Sequence, residues 1–163
     1  MELKELQNIY FVGIGGIGMS ALARYFRHLG REVSGYDKVE TALTKELVKE
    51  GAHVSYVDDV ALLPANIDLV IYTPAIPATH KQLTYLRQQG YPIKKRAEVL
   101  GIISKHKKTI GVAGTHGKTT TSSILTHLLR VGGIDCTAFL GGIAGNINSN
   151  FVAGEAELSL IHI

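Results

Sequence analysis

Short apolar runs alternate along the chain with longer segments in which apolar residues recur at helical spacing. The runs at 9–12 and 68–72 are rich in β-branched and aromatic residues and end at glycine or proline, so both predict buried strands. Residues 17–29 place apolar side chains on one face and predict a helix. The same criteria predict strands at 32–36, 53–57, 109–113 and 135–140, and helices at 41–50, 79–89, 96–104 and 119–131.

This alternation predicts an α/β fold with a parallel sheet covered by helices on both faces. We place a Rossmann-like domain at 1–106 and end it within the basic stretch 105–108, which is typical of a solvated linker. Residues 107–157 then begin a second α/β domain of the P-loop ATPase type. In this second domain we expect the strand 135–140 to be followed by a glycine-rich loop at 141–146.

The composition is that of a globular, weakly basic protein. Hydrophobic residues make up 45% of the chain and charged residues 19%. The net charge of +3, without a stripe of basic and aromatic residues, argues against a nucleic-acid partner. The single cysteine, Cys136, excludes an internal disulfide and fits a reducing cytoplasm. No apolar run is long enough to span a membrane, and the oligomeric state is not indicated.

A glycine-rich segment, residues 13–18, follows the first predicted strand and opens the first predicted helix. It fits G-x-G-x-x-G, in which Gly13 can make the tight turn, Gly15 lets N–H groups approach a diphosphate, and Gly18 permits close helix–strand packing. Asp37 closes the second strand, where a carboxylate can accept hydrogen bonds from a ribose or a base. The glycines do not distinguish a dinucleotide from a nucleotide-sugar. The candidate loop residues are Gly13, Ile14, Gly15, Gly16, Ile17 and Gly18.

A second glycine loop, residues 114–120, follows the predicted strand 109–113. Its N–H groups can form an anion nest, Lys118 can reach the β- and γ-phosphates of ATP, and the Thr119 hydroxyl can ligate Mg²⁺. The strict pattern G-x-x-x-x-G-K-[ST] requires glycine at position 112, where this chain has Val112, so the loop is a variant. The candidate ATP-binding residues are Gly114, Thr115, His116, Gly117, Lys118, Thr119 and Thr120.

Four segments together resemble the N-terminal part of the Mur ligase family. The second loop resembles the family's ATP loop, which also accounts for valine at position 112, and residues 11–20 match the family's opening segment. Residues 72–77, which include Thr73, resemble its loop near the uridine end of the substrate. Residues 96–100 resemble its helix before the ATP domain. The match extends from about residue 8 to residue 150.

The resemblance implies a cytoplasmic, ATP-dependent amide ligase that works on a peptidoglycan precursor. UDP-N-acetylmuramate would bind the first domain through its diphosphate, and its carboxylate would take a phosphoryl group from ATP to give an acyl phosphate. The amine of L-alanine would then attack, while Lys118 and the Mg²⁺ held by Thr119 stabilise charge on the phosphoryl group. His116 resembles the residue at this position in the alanine-adding ligase and in its tripeptide-adding relative. A positioning role and a plain turn role are both open for His116.

Three other functions stay open. The tripeptide-adding relative recycles cell-wall peptides, and the domain that chooses between the two amino substrates is not in this sequence. An NAD-dependent oxidoreductase would use the first loop but leaves Lys118 and Thr119 unexplained. A nucleotide-binding fragment without catalysis is the third alternative. Because later segments of the family enzyme are missing, we expect this fragment to bind the UDP-sugar without forming the amide bond.

The last six residues, 158–163, depart from the family pattern where an acidic, metal-binding motif is due. Their sequence, Leu-Ser-Leu-Ile-His-Ile, is also what a transposon-end sequencing adapter encodes. We therefore expect a non-native tail, although a genuine terminal strand would fit the same residues. The encoding DNA distinguishes the two.

Overall fold

The computed structural model describes residue 3, residues 5–145 and residues 147–162, and its chain divides into two compact units, Met1–Arg96 and Ala97–Ile163. The division falls after the first residue of the helix that precedes the basic stretch, whereas the sequence analysis placed the boundary after residue 106. Residue 146 of the predicted glycine loop and residue 163 of the predicted tail lie outside the described residues.

The first unit is a five-stranded, fully parallel sheet, as the alternation predicted. Its strands are ordered β3-β2-β1-β4-β5, so β1 is central and the chain leaves it first toward one edge and then toward the other. In such sheets, ligands bind at the carboxyl ends of the strands where the order reverses. The elements are β1 (Asn8–Val12), α1 (Ile17–His28), β2 (Glu32–Tyr36), α2 (Ala42–Lys49), β3 (His53–Ser55), a 3₁₀ helix (Val60–Leu62), β4 (Leu69–Tyr72), α3 (Lys81–Gln88) and β5 (Ile93–Lys95).

The core of this unit lies on both faces of β1. On one face the Phe11 ring packs edge-on against Phe26 of α1, with 6.3 Å between ring centroids. On the other face Tyr10 and Val12 join a buried cluster with Leu83 and other residues of α3. Burial on both faces explains why β1 is a continuous apolar run rather than an alternating one.

Two polar features fix α2 beside α1. The Arg24 guanidinium, only 8% exposed, pairs with Glu46 at 3.1 Å and with Glu50 at 2.8 Å. Thr41 caps α2 through a reciprocal hydrogen-bond pair with Thr44, which satisfies two N–H groups at the start of the helix. The N-terminus of α2 follows the end of β2 and so lies at the carboxyl edge of the sheet.

The second unit has a four-stranded mixed sheet, ordered β6-β9-β7-β8. β9 runs parallel to both β6 and β7, and β8 pairs antiparallel with β7. Ala138, Leu140, Val152 and Leu160 form its buried core, against which Leu125 of α5 packs. The elements are α4 (Arg96–Lys105), β6 (Lys108–Val112), α5 (Lys118–Val131), β7 (Thr137–Ala144), β8 (Ser149–Val152) and β9 (Leu158–His162).

Gly141 and Gly142 lie in a strand that ends at Ala144, so the loop predicted at 141–146 is wrong over its first four residues. β7 continues to Ala144 because β8 folds back and pairs with it, with a register irregularity between Phe139 and Ala144. A Cβ on Gly141 would collide with the imidazole of His162, so this glycine leaves room for a side chain of β9 and does not form a turn. Sequence analysis missed β8 altogether.

The predicted tail also forms regular structure. Residues 158–162 are β9, which lies between β6 and β7, and Ser159, Leu160 and Ile161 are buried. Strand formation fits the alternative that the sequence analysis left open. The adapter origin stays a prediction that the encoding DNA tests.

Candidate nucleotide-binding sites

The first glycine loop is held by backbone hydrogen bonds to the end of β2. The N–H groups of Gly13 and Ile14 donate to the Tyr36 carbonyl oxygen at 2.8 and 3.0 Å, and the Gly16 N–H donates to the Gly13 carbonyl at 3.3 Å. Gly13 has φ +88°, a left-handed conformation that residues with side chains rarely adopt. Gly16 is the N-cap of α1, so the loop leads directly into the positive end of this helix dipole.

Asp37 lies against the same loop. Its Oδ2 accepts a 2.7 Å hydrogen bond from the Gly15 N–H, and its Oδ1 accepts a longer one, 3.4 Å, from the Val39 N–H. A Cβ on Gly15 would lie 2.6 Å from Thr44 Cγ2 and 2.9 Å from Asp37 Oδ2, so the loop needs glycine there. Sequence analysis predicted that this carboxylate accepts from a ribose or a base; in the structure, the loop itself engages one of its oxygens.

Thr73 reaches the loop from the end of β4. A Cβ on Gly13 would lie 2.9 Å from Thr73 Cγ2 and 3.2 Å from Ile76 Cδ1. The segment after β4 therefore packs over the start of the glycine loop. The structure brings together three features that the sequence predicted separately: the glycine loop, Asp37 and Thr73.

The remaining predicted loop residues differ in what they can offer a ligand. Ile14 is fully buried, so its side chain belongs to the core, whereas Ile17 is 39% exposed and Gly16 is exposed. A Cβ on Gly18 would lie 2.8 Å from Nη1 of Arg96. The close approach at Gly18 is thus to an arginine side chain and not to the strand that sequence analysis expected. Nothing in the sequence pattern indicated Arg96 as a neighbour of this loop.

A buried histidine packs against Tyr36, the last residue of β2. His80 is the N-cap of α3; its Nδ1 accepts from the Leu83 N–H at 3.2 Å, and its ring lies 4.5 Å from the Tyr36 ring, centroid to centroid. Asp58 Oδ1 lies 3.3 Å from the same Nδ1. Burial lowers the pKa of His80, and the Asp58 carboxylate opposes that shift. The neutral ring is consistent with the bond from Leu83, because only an unprotonated Nδ1 can accept it.

The second glycine loop connects β6 to α5. Gly114 has φ +147° and Gly117, the N-cap of α5, has φ +75°, both in the region that favours glycine. Residues 113–117 are exposed, so their backbone is open to a ligand. Thr115 and His116 lie within this exposed loop, and Thr120 is exposed in the first turn of α5.

Lys118 folds back over this loop. Its Nζ donates a hydrogen bond to the Gly114 carbonyl oxygen, which places the ammonium group at the start of the loop. Further along α5, Ser123 Oγ donates to the Thr119 carbonyl at 2.8 Å and Thr126 Oγ1 to the Ser122 carbonyl at 2.7 Å. A lysine amine at the mouth of an exposed nest of N–H groups can bind phosphate oxygens.

Thr119 occupies the position expected of a metal ligand. A Cβ on Gly142 of β7 would lie 3.0 Å from Thr119 Cγ2, so the threonine methyl faces β7. Across residues 5–145 and 147–162, no three histidine, cysteine or acidic side chains cluster as a metal-binding group. The chemistry of the site fits Mg²⁺ bound mainly by phosphate oxygens and water, with one hydroxyl from the protein.

Each unit thus carries a glycine loop between a parallel strand and the N-terminus of a helix, an arrangement typical of nucleotide-binding α/β proteins. The family profile described as "Mur ligase family, catalytic domain" matches residues 8–108, more than half of the chain. The chain therefore belongs to the Mur ligase family. The oxidoreductase alternative has no support from this assignment.

Curated relatives point to one branch of the family. The chain is 51% identical to UDP-N-acetylmuramate–L-alanine ligase of Flavobacterium johnsoniae, in an alignment that covers all of this chain and 39% of the relative. It is 52% identical to the ligase of the same name from Parabacteroides distasonis, covering 96% of this chain and 35% of the relative. The chain thus spans less than two fifths of the length of these relatives.

Solved structures share the fold. UDP-N-acetylmuramate-alanine ligase from Thermotoga maritima superposes with a TM-score of 0.87 at 32% identity, over 97% of this chain and 37% of that one. UDP-N-acetylmuramate:L-alanyl-γ-D-glutamyl-meso-diaminopimelate ligase from Neisseria meningitides gives the same TM-score at 27% identity, over 96% of this chain and 52% of that one.

Among the described residues, none of the helices has the length and apolar character that a bilayer crossing needs.

Proposed function

We propose that this chain is the nucleotide-binding part of a cytoplasmic ligase that joins L-alanine to UDP-N-acetylmuramate at the expense of ATP. The observation that carries the proposal is the pair of glycine loops, each placed at a helix N-terminus, in one chain that is about half identical to ligases of that name. An enzyme that activates a carboxylate needs one anion site for its substrate and one for ATP.

The first loop would bind the UDP-sugar. Its backbone N–H groups and the dipole of α1 favour a diphosphate. Thr73, which belongs to the segment assigned to the uridine end, lies at the start of the loop. We assign residues 1–96, the first compact unit, to this substrate and the region from residue 107 onward to the beginning of the ATP domain.

The second loop would bind ATP with Mg²⁺. In the proposed reaction a carboxylate oxygen of the muramoyl group attacks the γ-phosphorus, ADP leaves, and an acyl phosphate forms. The L-alanine amine then attacks the carbonyl carbon, loses a proton, and expels inorganic phosphate. Lys118 would move from the Gly114 carbonyl to the β- and γ-phosphate oxygens and stabilise their charge. The Thr119 hydroxyl would help to hold Mg²⁺, and a bound Mg²⁺ would supply further neutralisation of the phosphate charge.

The tripeptide-adding ligase is the second candidate within the family. It is favoured by the equal TM-score of the Neisseria structure, and disfavoured by the higher identity of the chain to the alanine-adding ligases. The two candidates differ only in the substrate that supplies the attacking amine, L-alanine or a tripeptide. The second loop does not contact this substrate in the proposed reaction. Our assignment therefore rests on overall identity.

A thermal-shift titration of the 163-residue chain tests the first half of the proposal. UDP-N-acetylmuramate, added at increasing concentration, should raise the midpoint of unfolding because a ligand that binds only the folded state stabilises it. NAD at the same concentrations serves as the comparison and should have no effect. Stabilisation by NAD alone would overturn the nucleotide-sugar assignment.

A second assay addresses catalysis. We expect the chain on its own to release no phosphate from ATP in response to L-alanine and UDP-N-acetylmuramate together. Phosphate release that requires both compounds would show that this part of the ligase is sufficient for the reaction. The full-length ligase from a relative provides the positive control.

A further inference from the structure

Arg96 extends from the end of β5 to the first turn of α1. Gly18 is the second residue of that helix, and a Cβ on it would lie 2.8 Å from Arg96 Nη1 and 3.1 Å from Cδ and Cζ. Because Cβ atoms of a helix tilt toward its N-terminus, the space that Gly18 leaves open lies over the beginning of α1. The guanidinium group fills that space.

Arg96 also sits at the ligand-binding edge of the sheet. It directly follows β5, and β5, β4, β1 and β2 are parallel, so their carboxyl ends share one edge. The glycine loop follows β1 at this same edge. Arg96 and the loop therefore lie at the same edge of the sheet in the first unit, although Arg96 is 78 positions beyond Gly18 along the chain.

The half-buried guanidinium of Arg96 has no protein partner in the part of the chain that the structure describes: no hydrogen bond, ion pair or ring contact is present there. Other arginines of this unit are engaged: Arg24 with Glu46 and Glu50, and Arg87 with the Tyr72 ring at 5.2 Å. A guanidinium offers five N–H donors in a planar fork, a geometry that matches phosphate oxygens.

The glycine loop already has a negative charge beside it, which a cation would offset. The Gly15 N–H, one of the donors that a diphosphate could use, is bonded to Asp37, and the Asp37 carboxylate adds negative charge beside the loop. Backbone donors and the helix dipole must therefore attract a dianionic group next to a carboxylate. A fixed positive charge over the first turn of α1 offsets that repulsion.

We propose that Arg96 is a binding residue for the diphosphate at the first glycine loop. The inference rests on the nucleotide-sugar function proposed above, and it adds a side-chain cation to a site otherwise made of backbone groups. It also gives Gly18 a role: any side chain at this position would push the guanidinium away from the start of α1.

Calorimetric titration of the 163-residue chain with UDP and with UDP-N-acetylmuramate tests the inference. Arg96→Gln should weaken binding of both ligands on the order of ten- to a hundredfold, the usual range for a charged hydrogen bond to phosphate. Arg96→Lys keeps the charge but loses the fork and should give an intermediate affinity. The control is Arg31→Gln, which removes the same charge at the opposite edge of the sheet, where Arg31 bonds Gln7.

The outcomes separate the two proposals. If the unaltered chain binds both ligands and Arg96→Gln binds them equally well, the role of Arg96 is wrong while the proposed function stands. A loss confined to UDP-N-acetylmuramate would overturn the diphosphate assignment and point to the muramoyl carboxylate. Failure of the unaltered chain to bind either ligand would sink both proposals. Should Arg96→Gln not fold, Arg96→Lys carries the test: unchanged affinity contradicts the inference, and a several-fold loss supports it.

Discussion

Asp37 Oδ2 accepts a 2.7 Å hydrogen bond from the Gly15 N–H, which ties the end of β2 to the glycine loop. The same carboxylate therefore does two things at the proposed diphosphate site. It fixes the loop by accepting a hydrogen bond, and it places a negative charge beside an anionic ligand. These effects act in opposite directions on ligand affinity, and two substitutions separate them.

Asp37→Asn should keep the acceptor and remove the charge, so the affinity for UDP-N-acetylmuramate should stay equal or rise. Asp37→Ala removes both, and loss of the acceptor for Gly15 should lower the affinity several-fold, a change of about 1 kcal/mol for one hydrogen bond. Calorimetry at low ionic strength measures both. Equal losses in the two variants would instead mean that the Asp37 charge contacts the ligand favourably.

Gly35 of β2 lies directly against Phe11 of the central strand β1. A Cβ there would lie 2.6 Å from the Phe11 carbonyl oxygen and 2.9 Å from Phe11 Cβ. Because backbone atoms of β1 cannot move aside, Gly35→Ala should cost about 1–3 kcal/mol of the free energy of unfolding.

Gly101→Ala is the control for Gly35. Gly101 lies in α4 with nothing within 4 Å of an added Cβ, so alanine should stabilise that helix by about 0.5–1 kcal/mol. Urea unfolding followed by circular dichroism measures both variants. Equal stability of Gly35→Ala and the unaltered chain would mean that the β1–β2 contact is looser than the structure has it.

His80 should make stability depend on pH. Burial holds its folded pKa below the ordinary value of about 6.5, so the unfolded state takes up the proton first on acidification. The contribution of neutral His80 to the free energy of unfolding is fully present above pH 6.5. It is lost progressively as the pH falls from 6.5 toward the lower pKa of the folded state. Protonation would also break the bond from Leu83 and turn Nδ1 into a donor toward Asp58.

His80→Asn isolates this effect. Asparagine is a good N-cap, so it keeps an acceptor for the start of α3 while removing the titrating ring. Thermal unfolding between pH 5 and pH 8 should show a weaker dependence in this variant than in the unaltered chain. The control is His53→Asn, which changes an exposed histidine on β3 and should leave the pH dependence as it is. The same slope in all three proteins would rule out His80 as the source.

Substitutions of Lys118 and Thr119 should have different effects on the affinity for ATP and on the dependence of that affinity on Mg²⁺. Lys118→Ala removes the ammonium group and should weaken ATP binding more than tenfold, whereas Thr119→Ala should chiefly reduce the gain in affinity on adding Mg²⁺. A fluorescent ATP analogue titrated with and without Mg²⁺ measures both. Lys105→Ala, at the exposed end of α4, is the matched control. Unchanged binding in Lys118→Ala would contradict the ATP assignment.

Local signals predicted most of the first unit. The strand at 32–36 has the predicted bounds, and the other predicted strands and helices of this unit differ from the observed ones by one or two residues at an end. These predictions are correct because apolar periodicity and the glycines that end helices are signals contained within a few residues. Membership of the Mur ligase family was also accessible from sequence, since short glycine motifs carry the resemblance.

Contacts between distant residues could not be predicted in the same way. Arg96 packs on Gly18, and His162 fills the space over Gly141, although neither pair is close in sequence. A glycine is ambiguous by itself, since turns and close packing both select it. The sequence pattern therefore favours a loop at Gly141 and helix–strand packing at Gly18, whereas the structure places a side chain against each glycine.

The position of β9 has a consequence for the order in which the second unit folds. Thr109 of β6 and Ser159 of β9 have hydroxyl oxygens 2.8 Å apart, yet they are 50 residues apart in the chain. In the four-stranded sheet β6 pairs with β9. During synthesis β6, which precedes the second glycine loop, therefore emerges well before the strand with which it pairs. Pairing between strands that are so far apart in the chain forms slowly. Until it forms, the unpaired edge of β6 can associate with other chains. Among the four described strands of this sheet, β6 is thus synthesised first, whereas its neighbour β9 is synthesised after β7 and β8.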